Sequence, residues 1–322
     1  MGVFERTEGI LAGHAVTPDG GTGVSVFLFP DGAVASAEVR GFAAGTRQFD
    51  SLSLTHSVDE IHGVVFAGGS VFGHSAAQSV VLALAERGIG LSTDHGVVPV
   101  VPSAVIYDLG LGGGREVDYG SLGLRALERA FSGDPEGYPG AGAGATVGKL
   151  LGVERATKTS AGGAEEEVEG VSLGVFVVLN SFGEVVDRNG EVIAGIRGEG
   201  QFERTMELFS RGADRRPFRG GDSTTLTLIA TDGVLSHREL HYFCVQANNF
   251  LAGRIRPYGT VYDGDVVVAV ATGKRGRPVP ANRAISLVER LLGEAIDSAV
   301  RDARGMRGIP SAVEFLSQGG SQ

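Results

Sequence analysis

The chain has 322 residues, 42% of them hydrophobic and 20% charged, with a formal net charge of -10. That balance describes a folded globular protein long enough to bury a sizeable core. The negative charge leaves nothing to neutralise phosphates and argues against a nucleic-acid partner. Glycine, at 52 residues, is about twice its ordinary share and has no three-residue period, which excludes collagen and points to tight turns and close backbone contacts. Cys244 is the single cysteine, so no disulfide framework is available, as fits a reducing, cytoplasmic setting. The N-terminal MGVFERTEGI lacks a basic stretch followed by an apolar one. No apolar run reaches the ~20 residues a membrane helix needs.

In chain order, residues 23–30 (GVSVFLFP) and 33–39 (AVASAEV) predict two strands of a hairpin turned at Pro30-Asp31-Gly32. Residues 61–67 predict a strand, and Gly68-Gly69-Ser70 leads into a helix over roughly 73–88, apolar enough to be buried. Pro99 and Pro102 interrupt residues 97–108 and suggest irregular extended chain. A second helix is predicted over about 121–132. Residues 134–150 (DPEGYPGAGAGATVGKL) form a glycine-rich loop. It fails the phosphate-loop pattern twice, because Ala143 takes the first glycine position and Leu150 follows Lys149. Its glycines instead let the backbone approach something closely, with Lys149 as the charged group at the end. Residues 157–170 read as an exposed acidic loop. Residues 171–179 predict a strand ending at Asn180, and a hairpin follows around Asn189-Gly190. A helix over 202–210 leads to a polar, basic linker, RGADRRPFRG.

The stretch from Gly220 to Asp232 is the most informative. Gly220-Gly221-Asp222 form a flexible approach, and the run from Thr224 to Thr231 reads as a buried strand. The change from polar to apolar falls at Ser223-Thr224. A hydroxyl residue at the root of a rigid strand is where a chain can cut itself. It would leave a residue that carries both a nucleophilic hydroxyl and a free α-amine as its base. The plainer alternative is a glycine turn leading to a core strand. A helix from about Ser236 to Ala252 starts with a capping box, Ser236 and Glu239. His237 and His241 lie one turn apart on it, but no third ligand is evident, so they read as a solvated helix face and no metal is expected. Asp263 and Asp265 stand at the start of a strand over 263–271; carboxylates two apart on extended chain point the same way and can jointly hold an ammonium group. A long helix, about 281–304, completes the pattern.

Seven motifs in series resemble one family: GGTGVSVFLFPDGAVASAEVRG, IHGVVFAGGSVFG, VPVVPSAVIYDL, GAGAGATVGK, VFVVLNSFGEVVD, GDSTTLTLIATD and DGDVVVAVAT. The chain is similar over nearly its whole length to the self-processing peptidases that include L-aminopeptidase/D-esterase, the β-peptidyl aminopeptidases and nylon-oligomer (6-aminohexanoate) endohydrolase. The resemblance implies a single α/β domain, an αββα four-layer sandwich of the N-terminal-nucleophile type. It implies self-cleavage after residue 223 into a large subunit, 1–223, and a small one, 224–322, without a cofactor. By position, Thr224 is the nucleophile, with Ser223 before it where many relatives carry asparagine; that makes Ser223 the runner-up nucleophile. Lys149 matches a lysine beside the nucleophile, Asn180 an oxyanion donor, and Asp263 with Asp265 an acidic pair that orients the α-amine. Phe72 stands where some members have a tyrosine near the substrate, and Glu136 aligns with a glutamate that holds the substrate's amino group. The implied partners are a small peptide, amide or ester substrate and, in relatives, three further copies in a homotetramer. Two other readings compete: an acyltransferase like the ornithine acetyltransferases, and an unprocessed binding protein.

Overall fold

The computed structural model describes residues 3–58, 60–213 and 223–319. Nine strands form one hydrogen-bonded set: β1 (Leu11–Val16), β2 (Gly23–Gly41), β3 (Thr46–Arg47), β4 (Glu60–Ala67), β5 (Ser103–Val105), β6 (Ala161–Val168), β7 (Val171–Asn180), β8 (Thr224–Thr231) and β9 (Gly264–Ala271). Their order is β6-β7-β8-β9-β2-β4-β5-β3, with β1 on β2. β2 is the pivot. Its first half pairs with β1 and β4, from Val24 opposite Ala67, and its second half pairs with β9, from Val34 opposite Ala271 to Gly41 opposite Gly264. The set therefore folds over on itself at β2 into two facing layers.

Alternation along the strands fills the space between the layers. Phe27, Phe29, Val64 and Phe66 from one half meet Phe176, Leu226, Leu228, Val266 and Val268 from the other. Phe27 and Phe176 cross with ring centroids 5.1 Å apart. Side chains of opposite parity face outward under helices. Val24, Val26 and Val65 pack under α1 (His74–Glu86) and α2 (Tyr119–Ser132). Val175, Val177, Ile229 and Val267 pack under two later helices, α4 (His237–Arg254) and α5 (Ala281–Arg301). The short α3 (Thr205–Ser210) lies between β7 and β8 in sequence. The result is the expected αββα sandwich. No helix among the described residues is long and apolar enough to cross a membrane.

Two expectations fail. Pro30-Asp31-Gly32 is not a hairpin turn. β2 runs through it, and its register against β4 jumps between Leu28 and Ala33, so these residues form the irregularity at which β2 changes partners. Turn-forming residues also suit a bulge, where the ladder is interrupted and Gly32 takes a φ of 80°. Nor is 157–170 an exposed loop: most of it is β6, antiparallel to β7. Its glutamates lie along a sheet edge, where Glu165 accepts from Arg6 N–H and the Thr7 hydroxyl and Glu166 pairs with Arg290. Helices α1, α2, α4 and α5 fall where expected, as does the hairpin of residues 184–186 with 192–194. The basic linker lies mostly outside the described residues, as do Gly220, Gly221 and Asp222.

Candidate active site

The ends of three central strands assemble the site. Antiparallel pairing sets Thr224, the first residue of β8, opposite Asn180, the last of β7. β9 runs parallel on the other side of β8, in register from Leu226 opposite Val266, and a bridge between Ser223 and Asp263 keeps the same register ahead of it. Lys149 arrives from the glycine-rich stretch. Its N–H donates to Phe182 O at 3.0 Å, and its Nζ donates to Asn180 O and Oδ1, each at 2.8 Å. The glycines do provide a close approach, since a Cβ on Gly142 would stand 2.2 Å from Ala161 N. Thr224, Ser223, Asn180, Lys149, Asp263 and Asp265 are all buried, and Thr224 is 4% exposed.

Each polar group here is held in one orientation. Asn180 Oδ1 accepts from Thr146 N–H at 3.1 Å as well as from Lys149, which fixes the amide and makes Nδ2 its donating side. Asp263 Oδ1 accepts from Phe182 N–H at 3.0 Å, and Oδ2 accepts from Thr260 N–H and its hydroxyl at 3.0 and 2.6 Å. Asp265 Oδ1 accepts from Thr225 N–H at 2.6 Å and Oδ2 from Gly259 N–H at 3.1 Å. Burial first, and the neighbouring Asp263 charge second, push the Asp265 carboxyl well above the usual carboxylate range. Burial also raises Asp263, opposed by its bonds to Thr260 and Phe182 and by the nearby Lys149 charge.

The Thr224 hydroxyl donates to Ser223 O at 2.6 Å, and Gly264 N–H donates to the same oxygen at 2.9 Å. In this uncut chain neither carboxylate bonds Thr224 directly; both hold backbone amides around it. Five of the expected residues, with Ser223, thus converge. Two do not. Phe72, 41% exposed, lies on the turn before α1 and makes no ring contact among the described residues. Glu136 is exposed beyond α2 and pairs with Arg129 at 2.7 Å. His237 bonds Leu52 O at 3.1 Å, so it is engaged rather than merely solvated, and no group of three or more metal-ligating side chains occurs among the described residues. Sequence reasoning missed Thr146, Thr260 and Gly264, which act through backbone N–H groups, Thr260 through its hydroxyl as well. Their only signal was position: after a glycine run, three before an aspartate, and between two aspartates.

The two sheets packed between helix layers form a fold shared with solved peptidase structures. The L-aminopeptidase D-Ala-esterase/amidase of Ochrobactrum anthropi, described as a new variant of the Ntn hydrolase fold, superposes with a TM-score of 0.67 at 15% identity, over 98% of this chain and 93% of that one. A β-aminopeptidase of a Burkholderia species does so with a TM-score of 0.64 at 18% identity and the same coverage. The chain belongs to Peptidase family S58, which matches residues 7–312. It is 34% identical over 338 residues to an uncharacterized aminopeptidase of Mycobacterium tuberculosis, covering 94% of both. It is 32% identical over 278 residues to the 6-aminohexanoate-oligomer endohydrolase of Paenarthrobacter ureafaciens, covering 84% of this chain and 75% of that one. The protein is therefore a hydrolase of the peptidase type, and the acyltransferase and non-catalytic readings give way to that assignment.

Proposed function

We propose that the chain cuts itself between Ser223 and Thr224 and that the freed Thr224 hydrolyses small peptides, amides or amino-acid oligomers. The observation that carries this reading is the buried Thr224 hydroxyl, 2.6 Å from the preceding carbonyl oxygen and set between Asn180 and the Asp263–Asp265 segment. In the first stage Thr224 Oγ attacks the Ser223 carbonyl carbon, the proton passes to the departing Thr224 nitrogen, and water hydrolyses the resulting ester. In the second, the new α-amine, intrinsically near pKa ~8, takes the hydroxyl proton as Oγ attacks a substrate carbonyl. Asn180 Nδ2 donates to the developing oxyanion, and Lys149 keeps that amide oriented. The Lys149 charge lowers the amine's proton affinity, while Asp263 and Asp265 raise it and hold the amine in place.

The relatives' activities support amide substrates with a free amino terminus or a repeating aminoalkanoyl unit. Phe72 and Glu136, both exposed, are proposed to meet the substrate. We further propose a homotetramer of cut protomers, after the relatives, in the cytoplasm, after the lone buried Cys244. The test is a paired assay on amino-acid p-nitroanilides and 6-aminohexanoate oligomers. Wild type should release product from at least one class and Thr224→Ala from neither. Equal release by both proteins refutes the reading.

A further inference from the structure

We propose that the backbone N–H of Gly264 is the oxyanion donor for the self-cleavage step. This rests on the reading that the chain cuts itself at Ser223-Thr224. When Thr224 Oγ adds to the Ser223 carbonyl carbon, the C=O π electrons move onto Ser223 O. That oxygen is then an alkoxide and needs a donor already in place. The Thr224 hydroxyl, which also donates to it, gives up its proton as it attacks and cannot serve. Gly264 N–H, at 2.9 Å, stays aimed at that oxygen as the charge develops. As the tetrahedral centre collapses, the C–N bond to Thr224 breaks, nitrogen gains the proton that Oγ lost, and Ser223 is left as an ester on Thr224 Oγ. Water then releases residue 223 as a carboxylate.

An ordinary sheet bond would also join these two groups, but this peptide plane is held far more firmly than a strand end requires. Its carbonyl, Asp263 O, accepts from Ala43 N–H at 3.0 Å, while its N–H points at Ser223 O, so the plane is pinned at both edges. The side chain before it, Asp263, is tied to Phe182 and Thr260, and the one after it, Asp265, to Thr225 and Gly259. A Cβ on Gly264 would stand 2.5 Å from both Ala43 O and Ala44 Cα, so only glycine lets residues 43–44 close over the plane. Four backbone amides thus bind the two aspartates, and the aspartates hold one N–H on the bond to be cut. In the uncut chain the acidic pair acts as a positioning device, before any α-amine exists for it to orient.

The direct test replaces the Asp263–Gly264 amide by an ester, placing glycolic acid at position 264 of the full chain by nonsense suppression in cell-free synthesis. This deletes the one N–H and adds no side chain. Fragments 1–223 and 224–322 are followed by intact mass, with circular dichroism to check folding. Loss of one such donor predicts cleavage slowed by ~10²–10³-fold. Cleavage within twofold of wild type overturns the proposal. A second measurement needs no ester and serves if that chain fails to fold. Amide hydrogen exchange at Gly264 should be protected in uncut Thr224→Ala and at least ~10-fold faster in cut wild type, once Ser223 O has left. Equal exchange in the two overturns the proposal. If wild type itself never cuts, the underlying reading fails; if it cuts and the ester chain keeps pace, only the donor assignment fails.

Discussion

Strand β8 has a buried aspartate group at each end, and the two ends are finished in different ways. At the C-terminal end, Asp232 Oδ1 accepts from Ser172 N–H at 2.7 Å, while Oδ2 lies 3.2 Å from both Arg275 Nε and Glu8 N. There the carboxylate meets a guanidinium. At the N-terminal end, Asp263 and Asp265 are met by neutral N–H groups and one hydroxyl. Lys149 Nζ there donates to Asn180 O and Oδ1. Burial accordingly pushes both carboxyls up. The same strand therefore has one end built for stability and one end left electrostatically uncomfortable, and the uncomfortable end carries Thr224. Perturbed groups of this kind gather where chemistry is done.

That contrast can be broken from either side. Asn180→Ala should lower kcat by ~10²–10³-fold, about 3–4 kcal/mol of barrier. Steady-state kinetics on the processed variant reads this, and the melting temperature should move far less. A second test uses Asp108, a buried aspartate on the α1 side of the sandwich. Its Oδ1 accepts from Gly69 N–H at 2.6 Å, Oδ2 has no hydrogen-bond partner among the described residues, and burial raises its pKa to about 6. As pH rises, the unfolded chain releases this proton near its ordinary value while the folded chain retains it. Stability is therefore lost between about pH 4 and about pH 6. His14, lowered to about 4 by burial and then by Arg129, works in the opposite direction over much of the same window. The difference between Asp108→Asn and wild type isolates the aspartate. It should grow by about 3 kcal/mol in the variant's favour across that window, as read from urea melts.

Arg275→Leu attacks the finished end of β8. It should cost about 1–3 kcal/mol in thermal melts, by leaving Asp232 buried with amides alone, and leave kcat of the processed enzyme unchanged. Smallest of all, Glu136→Gln breaks an exposed pair with Arg129 and should shift stability by less than about 1 kcal/mol. A rise in KM without such a shift would mark Glu136 as a substrate contact.

Much of the site was legible in the sequence because strand ends announce themselves. The apolar run after Ser223 located the head of β8, and the run before Asn180 located the end of β7. Antiparallel pairing of the two strands, which the structure supplies, places Thr224 and Asn180 side by side. The Asp-Gly-Asp spacing put both carboxylates at the start of β9 for the same reason. What was not legible depends on partners far away in sequence. Pro30-Asp31-Gly32 reads as a turn until β9 is present to pair with the second half of β2. The glutamates of β6 read as loop until β7 offers an edge. The work of Thr146 and Gly264 lies in N–H groups, which every residue but proline carries, so no side-chain pattern could reveal it.

The most direct test of the account is the intact mass of purified, aged wild-type protein, measured beside Thr224→Ala. The account predicts two species for wild type, residues 1–223 and 224–322, the second beginning with threonine, and one species of about 33.2 kDa for the variant. A wild-type chain still whole, with hydrolysis equal to that of the variant, would contradict it.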